Sequence, residues 1–277
     1  MPEITAALVR QLREETGLPM MDCKQALTET SGDKEAAKDA LRKKGLKLME
    51  SRGGRETTFG RFGIYSGVAE KRGGIVELKC ESAPVAGSAE FIQLANDLAK
   101  QLALGPGANT ADELLDQPCP SQPGKTLRAV KDDMFNRIRE VFNIGRFARI
   151  DGGTGGYSHN SGTVSGVLVG IEGGTDEVAK DVSMHIAAMR PKAVSKEEID
   201  PALVAKEREI LRGAALAEGK PENIVDKMVE GRLKNFYAEV VLLEQPFVKE
   251  NSVSVGKHAE SKGMKVKKFV HWELGKE

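Results

Sequence analysis

The sequence contains the same order of elements twice, two strands followed by a helix, and this repetition limits the fold more than any other feature. The strand-like segments are 63–69, 73–80, 155–162 and 165–172, and the helix-like segments that follow each pair are 89–103 and 175–189. Tyr65 lies ten residues before Ile75, and Tyr157 lies ten residues before Val167. A repeated spacing of this kind indicates an internal duplication. We therefore predict an α+β chain with two related core subdomains.

The connection CESAPVAGS (80–88) joins strand to helix in the first copy, and the second copy lacks about seven residues at this place. After Glu81 the stretch contains no charged, aromatic or histidine residue. It is either a plain linker or a contact surface whose usual residues have been replaced. Composition alone favours the linker. The duplication, in contrast, indicates an extension that is specific to the first subdomain.

The first 50 residues predict three short helices. Gly17 and Gly32 are typical helix ends, Pro19 suits a first helical turn, and Asp33 suits an N-cap. A bundle of this size has no room for a cleft. We therefore predict that residues 1–50 form a three-helix docking module.

The rest of the chain is divided by its composition and periodicity. The glycine-rich, charged stretch 51–60 is predicted to be a linker. The first core subdomain is placed at 61–145 and the second at 146–277. Two amphipathic patterns separated by a short turn predict an antiparallel helical hairpin at about 201–236, inserted in the second subdomain.

Three further segments have clear patterns. A helix is predicted at 132–143, and strands are predicted at 240–248 and 264–274. We expect the two strands to complete the second subdomain. The turn between the helices of the hairpin is expected at Gly219-Lys220.

Charge and composition exclude several classes of function. Lys and Arg together number 41, as do Asp and Glu, so the formal net charge is zero, and aromatic residues make up only 5%. Neither property favours direct binding of nucleic acid or of a membrane surface. Three widely spaced cysteines fit a reducing compartment better than a disulfide framework. With no signal-peptide pattern and no apolar run of about 18 residues, we predict a cytoplasmic protein.

No arrangement of residues in the sequence predicts catalysis, a cofactor or a metal. The segment SQPGKT (121–126) ends like a phosphate-binding loop, but that motif requires glycine where Cys119 stands. The histidines lack metal-ligand spacing. His185 lies on a mostly apolar helix, where a partly buried structural role is the favoured interpretation. We therefore expect a protein that is not an enzyme.

Met20 and Met21 are the most informative neighbouring pair. Adjacent helical residues point about 100° apart, so both cannot face a small core. If Met20 packs inside with Cys23 and Leu27, Met21 points outward. Exposed methionine is typical of an adaptable protein contact. A partly buried position at the rim of the bundle is an equally good interpretation from the residues alone.

The segment LREETGLPMMDCKQAL (12–27) resembles the N-terminal signature of the bacterial elongation factor Ts family. Further resemblances follow in order, at 146–150, 179–188, 206–256 and 267–275. They cover nearly the whole chain, and GKPENIVDKMVEGRLKNFY (219–237) is very specific. The resemblance implies a ubiquitin-associated-like helical module, two related core subdomains and the hairpin.

The resemblance also implies an activity. Members of this family bind elongation factor Tu carrying GDP, disturb its Mg²⁺ and phosphate site, and promote the release of GDP so that GTP can bind. On this resemblance the docking positions correspond to Leu12, Met20 and Met21. His185 corresponds to a histidine beneath the exchange loop, which implies a contact or a supporting role.

The sequence departs from the family pattern at the loop that presses beside the Mg²⁺ site. The family has Thr-Asp-Phe-Val there, whereas this chain has Ser82, Ala83, Pro84 and Val85. The sequence reaches Glu277 just after the last predicted strand, whereas the resemblance implies an extra C-terminal helical module in some relatives. One hypothesis is an exchange factor whose loop, stiffened by Pro84, contributes shape. The alternatives are an elongation factor Tu-binding chaperone with weak exchange activity and, disfavoured by the zero net charge, an RNA-binding protein.

Overall fold

A computed structural model describes residues 4–219 and 221–276 and shows a mixed α+β chain. The α+β prediction is therefore confirmed. The chain divides into two compact units. One consists of Met1–Gly63 and Val76–Phe147, and the other of Ile64–Ile75 and Ala148–Glu277. The domain limits that we predicted from the sequence remain predictions.

The N-terminal module consists of the helices α1 (Ala6–Thr16), α2 (Met20–Glu29) and α3 (Lys34–Arg52). The Thr5 hydroxyl caps α1 by accepting the Leu8 N–H, and Gly17 ends the helix with a φ of 68°. This left-handed conformation favours glycine, which has no Cβ. The helices bury a small core of Val9, Leu12, Leu18, Cys23, Ala26, Leu27, Ala37 and Leu41. Helix α3 continues to Arg52, into the stretch 51–60.

The first core subdomain follows the module. Its elements are β1 (Phe59–Tyr65), β2 (Arg72–Cys80), α4 (Ala83–Ala86), α5 (Ala89–Leu104), α6 (Ala111–Leu115), α7 (Leu127–Ile138) and β3 (Asn143–Asp151). The strands form a sheet in which β2 lies between β1 and β3. The strand predicted at 73–80 and the helix predicted at 89–103 are confirmed as β2 and α5. The strand predicted at 63–69 begins and ends earlier than expected, because β1 covers Phe59–Tyr65 and residues 66–69 lie outside it.

The helix predicted at 132–143 begins and ends earlier than expected, and β3 was not predicted. Helix α7 ends because Arg139 takes a left-handed conformation, with φ of 67°, and donates its N–H to the Phe135 carbonyl. The following strand pairs with β2, which lies more than 60 residues earlier in the chain. The hydrophobic periodicity of a short segment cannot predict that it will pair with a strand so distant in the sequence.

The second subdomain carries the remaining elements. They are β4 (Thr154–His159), β5 (Ser165–Gly173), α8 (Asp176–Met189), α9 (Pro201–Ala217), α10 (Glu222–Val240), β6 (Pro246–Phe247), β7 (Glu250–Ser254), α11 (Val255–Ser261) and β8 (Met264–Glu273). Strand β5 pairs antiparallel with both β4 and β8, with Val167 opposite Tyr157 on one side and His271 on the other. The predicted strand at 264–274 is therefore confirmed as β8.

The strand predicted at 240–248 is wrong. Helix α10 continues to Val240, a 3₁₀ turn follows at Leu242–Glu244, and only Pro246–Phe247 is extended. Val241 and Leu242 are completely buried. A short, fully buried apolar segment has the same sequence pattern at the end of a helix as in a strand. Hydrophobicity alone therefore could not distinguish the two here.

The predicted helical hairpin is formed by α9 and α10. Ala215, Val225, Val229 and Leu233 are its buried core. Two ion pairs, Arg208–Glu230 and Arg212–Asp226, join the helices in the order expected for an antiparallel pair. The start of the turn, Gly219, has a φ of 72°, while Lys220 lies outside the described residues. Such exposed ion pairs contribute little stability, so the apolar core holds the hairpin together.

Cys23, Cys80 and Cys119 are free thiols and all are buried. Burial raises the pKa of the Cys80 thiol to about 11. The thiol donates a hydrogen bond of 3.3 Å to the Ser82 carbonyl. Cys80 is therefore a protonated packing residue.

The two copies of the repeated pattern share one structural feature, a strand glycine that lies directly against the following helix. A Cβ added to Gly63 would lie 1.9 Å from the Ala95 carbonyl oxygen of α5, and one added to Gly155 would lie 2.7 Å from Ala179 of α8. Each glycine stands two residues before the tyrosine of its repeat, Tyr65 or Tyr157. In both subdomains a strand and a helix thus approach more closely than any side chain permits.

We expect Gly63→Ala and Gly155→Ala each to lower the free energy of unfolding by roughly 1–3 kcal/mol, because the added methyl meets helix backbone. Urea denaturation measures this change. Gly213→Ala is the control: its position in α9 is helical and open, so alanine should gain about 0.5–1 kcal/mol. If Gly63→Ala or Gly155→Ala had the same free energy of unfolding as wild type, the close approach of strand and helix at that glycine would be contradicted.

Candidate functional site

The exposed methionines at the start of α2 form the most prominent apolar surface of the N-terminal module. The side chain of Met20 is 48% exposed and that of Met21 is 73% exposed. The expectation that Met20 packs inside is therefore wrong, since Cys23, Ala26 and Leu27 fill the buried face of α2. Two flexible, polarizable side chains stand side by side, as in surfaces that adapt to a partner.

Leu12, the third predicted docking residue, lies elsewhere in the module. Its side chain is completely buried in the core formed with Cys23 and Leu27. Leu12 therefore supports the helices that carry the methionines from beneath. A direct contact of Leu12 with a partner remains a prediction.

The predicted Mg²⁺-dislocation loop, Ser82 to Val85, is not an irregular loop. Ala83–Ala86 form one turn of helix, α4, with Ser82 in the N-cap position. Proline is favoured in a first helical turn because no intrahelical partner exists there for its missing N–H. Ala83 and Pro84 are exposed at the tip, and Val85 is partly buried. The position of the family's Asp and Phe thus carries a small, stiff apolar turn.

Glu140 holds this turn through two hydrogen bonds. Its carboxylate accepts the Ser82 N–H at 3.1 Å and the Ser82 hydroxyl at 2.6 Å. The Ser82 hydroxyl is thereby directed to Glu140. Hydrogen bonds to a charged acceptor are stronger than those between neutral groups. Ser82 is therefore fixed in both backbone and side chain.

Glu81 makes the reciprocal contact. Its carboxylate accepts the Val141 N–H at 2.8 Å and pairs with Arg55 at 3.1 Å. Burial opposes ionisation, but the Val141 N–H and the Arg55 guanidinium favour the carboxylate, and the pKa of Glu81 lies below its ordinary value. Two carboxylates, one from the end of β2 and one from the segment that leads into β3, thus connect these two segments in both directions.

His185 is completely buried and fully hydrogen-bonded. Its Nε2 lies 2.9 Å from Gln245 Oε1, and its Nδ1 accepts the Val248 N–H at 3.2 Å. The ring therefore carries its proton on Nε2. Gln245, also buried, donates to the carbonyls of Met189 and Glu239 near the ends of α8 and α10. The structure supports the structural interpretation of His185, and its contact role remains a prediction.

The environment of His185 disfavours its charged form. Burial lowers the pKa of His185, and the hydrogen bond to Gln245 offsets this only in part. A second proton would have to enter at Nδ1, where the Val248 N–H already donates. Neutral His185 is therefore the form that fits the fold.

Sequence reasoning missed Glu140 and Gln245. Each lies about 60 residues from its partner, Ser82 or His185. Glutamate in a polar stretch and glutamine near a helix end are common, so no local pattern distinguishes them. Their roles follow only from the long-range fold.

Within residues 4–219 and 221–276, no group of histidine, cysteine, aspartate or glutamate side chains is arranged to hold a metal ion. The helices in these same ranges are too short or too polar to span a bilayer. The described surface carries an exposed methionine pair on a small helical module and a one-turn helix with an exposed apolar tip. Exposed apolar groups of this kind are typical of proteins that bind other macromolecules.

Comparison with known proteins identifies the family. The family model described as "Elongation factor TS" matches residues 84–276. A protein named "Elongation factor Ts" from Methylococcus capsulatus is 43% identical over 275 residues, covering 98% of this chain and 92% of that protein. The protein of the same name from Clostridium botulinum is 41% identical over 286 residues, covering 98% and 93%. The chain belongs to the elongation factor Ts family and is a translation elongation factor.

The buried histidine predicts that stability falls in mild acid. The unfolded chain binds a proton near pH 6.5, whereas folded His185 binds one only at lower pH, so the free energy of unfolding falls as the pH drops below about 6.5. His271, whose pKa burial also lowers, acts in the same direction. His185→Gln should therefore weaken the pH dependence.

Urea denaturation between pH 7 and pH 5 tests this prediction. Measuring wild type and His185→Gln in the same buffers isolates the contribution of this histidine. Identical pH dependence in wild type and His185→Gln would show that His185 is not held neutral by the fold.

Proposed function

We propose that this protein is a guanine nucleotide exchange factor for elongation factor Tu. In this proposal it binds elongation factor Tu carrying GDP in the cytoplasm, disturbs the Mg²⁺ and phosphate site, and lets GDP leave so that GTP can bind. Membership of the elongation factor Ts family over nearly the whole chain is the observation that carries it. No covalent step is required, so the protein is not an enzyme in the chemical sense.

Two surfaces of the first unit are suited to this activity. The methionines at 48% and 73% exposure offer apolar area that is lost from water on binding. The Ala83-Pro84 tip is exposed, and its base is fixed by Glu140. A rigid projection can displace groups of a partner more effectively than a flexible loop, because no binding energy is used to order the projection.

The thermodynamics of exchange are reciprocal. If the factor weakens GDP binding to elongation factor Tu, GDP must weaken binding of the factor by the same ratio. The protein should therefore bind nucleotide-free elongation factor Tu more tightly than the GDP-bound form. Both affinities are measurable by calorimetry with the purified partner.

Release of a fluorescent GDP analogue from elongation factor Tu of the same organism tests the function directly. We expect release to accelerate with the concentration of this protein and to saturate. Binding without any acceleration would overturn the exchange function. It would favour instead an elongation factor Tu-binding chaperone with weak exchange activity.

Met21→Glu should raise the factor concentration needed for half-maximal release, because a carboxylate replaces apolar contact area on the most exposed methionine. Loss of a fully buried side chain of this size costs roughly 1.5–3 kcal/mol, or about 10- to 150-fold in affinity. Glu29→Gln, an exposed change at the other end of α2, is the control. Unchanged affinity in Met21→Glu would refute the docking role of this residue.

The chaperone alternative is favoured by one observation, the absence of Asp and Phe at 83 and 84. The double substitution Ala83→Asp with Pro84→Phe restores the family's residues on the same turn. If the native turn lacks exchange power, the double variant should release GDP faster at saturation. An unchanged rate would mean that release depends on other contacts. Gly231→Ala, at an open position of α10 in the second unit, serves as a control for purification and folding.

A further inference from the structure

Residues 139–141, between α7 and β3, contact both candidate surfaces of the first unit. We call Arg139, Glu140 and Val141 the junction. Arg139 contacts the helical module, while Glu140 and Val141 contact the segment at Glu81 and Ser82. Three consecutive residues thus bind both α2, which carries the methionine pair, and the segment at which the turn begins.

Arg139 is bound to the module in two ways. Its guanidinium pairs at 2.8 Å with Asp22, the residue that follows Met21 in α2. Its carbonyl accepts the Arg52 guanidinium from the end of α3 at 2.5 Å. Asp22 also pairs with Lys44 of α3, at 2.9 Å. The first turn of α2, which presents the methionines, is therefore held by charged groups on two sides.

Arg139 keeps this position in spite of its backbone conformation. Its φ of 67° lies in the left-handed region, which glycine adopts at no steric cost. An arginine there has a steric cost from its Cβ that glycine would not have. The conformation ends α7, and from that position the side chain reaches Asp22 of the module.

Glu140 and Val141 continue the connection to the turn. Glu140 holds Ser82 through the hydroxyl and the amide, at 2.6 Å and 3.1 Å. The Val141 N–H is held by Glu81 at 2.8 Å. Arg139 and Ser82 therefore lie at opposite ends of one short hydrogen-bonded path.

We propose that Arg139 and Glu140 are positioning residues for nucleotide release, which fix the Ala83-Pro84 turn relative to the Met20-Met21 surface. The inference rests on the proposed function and deepens it. Docking through the methionines then places the turn against the partner at a defined distance. The turn has no Asp or Phe with which to contact the partner, so it acts through where it is held. Arg139 and Glu140, which hold it there, compensate for part of the missing contact.

Arg139→Gly separates positioning from folding. Glycine relieves the left-handed backbone strain and leaves the Arg52 contact to the carbonyl, but it removes the pair with Asp22. We expect a melting temperature close to that of wild type and a maximal GDP-release rate lowered roughly 2- to 30-fold, the usual range for residues that couple two sites. The half-maximal concentration should change little, because the methionines are intact.

Glu140→Ala acts at the other end of the path. It frees Ser82 and leaves the arginine pair in place, and it should lower the maximal rate in the same way. Hydrogen exchange of the free protein supplies a second readout: the amides of 82–88 should exchange faster in both variants, although Arg139 does not contact them. Arg128→Ala, in the first turn of α7, is the matched control, since it also removes ion pairs, those to Asp112 and Asp116.

The outcomes are distinguishable. If wild type accelerates release and Arg139→Gly reaches the wild-type maximal rate, the positioning role is overturned and the proposed function stands. A higher half-maximal concentration with an unchanged maximal rate would also overturn it, by making Arg139 a docking residue. If wild type does not accelerate release, the proposed function and the inference both fail.

Discussion

In both core subdomains a glycine of a strand lies directly against a helix, and the packing of each helix on its sheet depends on this close contact. Gly63 meets Ala95 in the first subdomain, and Gly155 meets Ala179 in the second. The first contact fixes α5 on its sheet. Both ends of the 80–88 connection are then determined, one by the end of β2 and the other by Ser88, which caps α5. A connection anchored at both ends can carry a stiff turn.

The duplication and the module could be predicted because their signals are local. The ten-residue spacing from Tyr65 to Ile75, the capping residues and the helical periodicities all lie within short windows. Strand β3 and the end of α10 could not be predicted, because both are determined by contacts with residues far away in the sequence. The candidate site shows the same division. The helical position of Met21 left two interpretations open, an exposed contact or a place at the rim of the bundle, and the structure shows it exposed. Glu140 acquires its role from Ser82, 58 residues away, which no local pattern indicates.

The replaced residues of the turn change what the turn can do. Aspartate and phenylalanine would offer charge and a large apolar ring, and alanine and proline offer neither. What remains is a one-turn helix whose N-cap residue, Ser82, is held by the Glu140 carboxylate. A contact of this kind acts through shape and stiffness. It also has less conformational entropy to lose when it meets a partner.

The buried thiols have a practical consequence for spectroscopy. Because Cys23, Cys80 and Cys119 are all buried, maleimide dyes will react with the folded protein slowly at its native cysteines. A single cysteine introduced on the exposed Ala83, for instance, would be labelled selectively without first removing the native thiols. The native protein is in this respect already prepared for site-specific fluorescence.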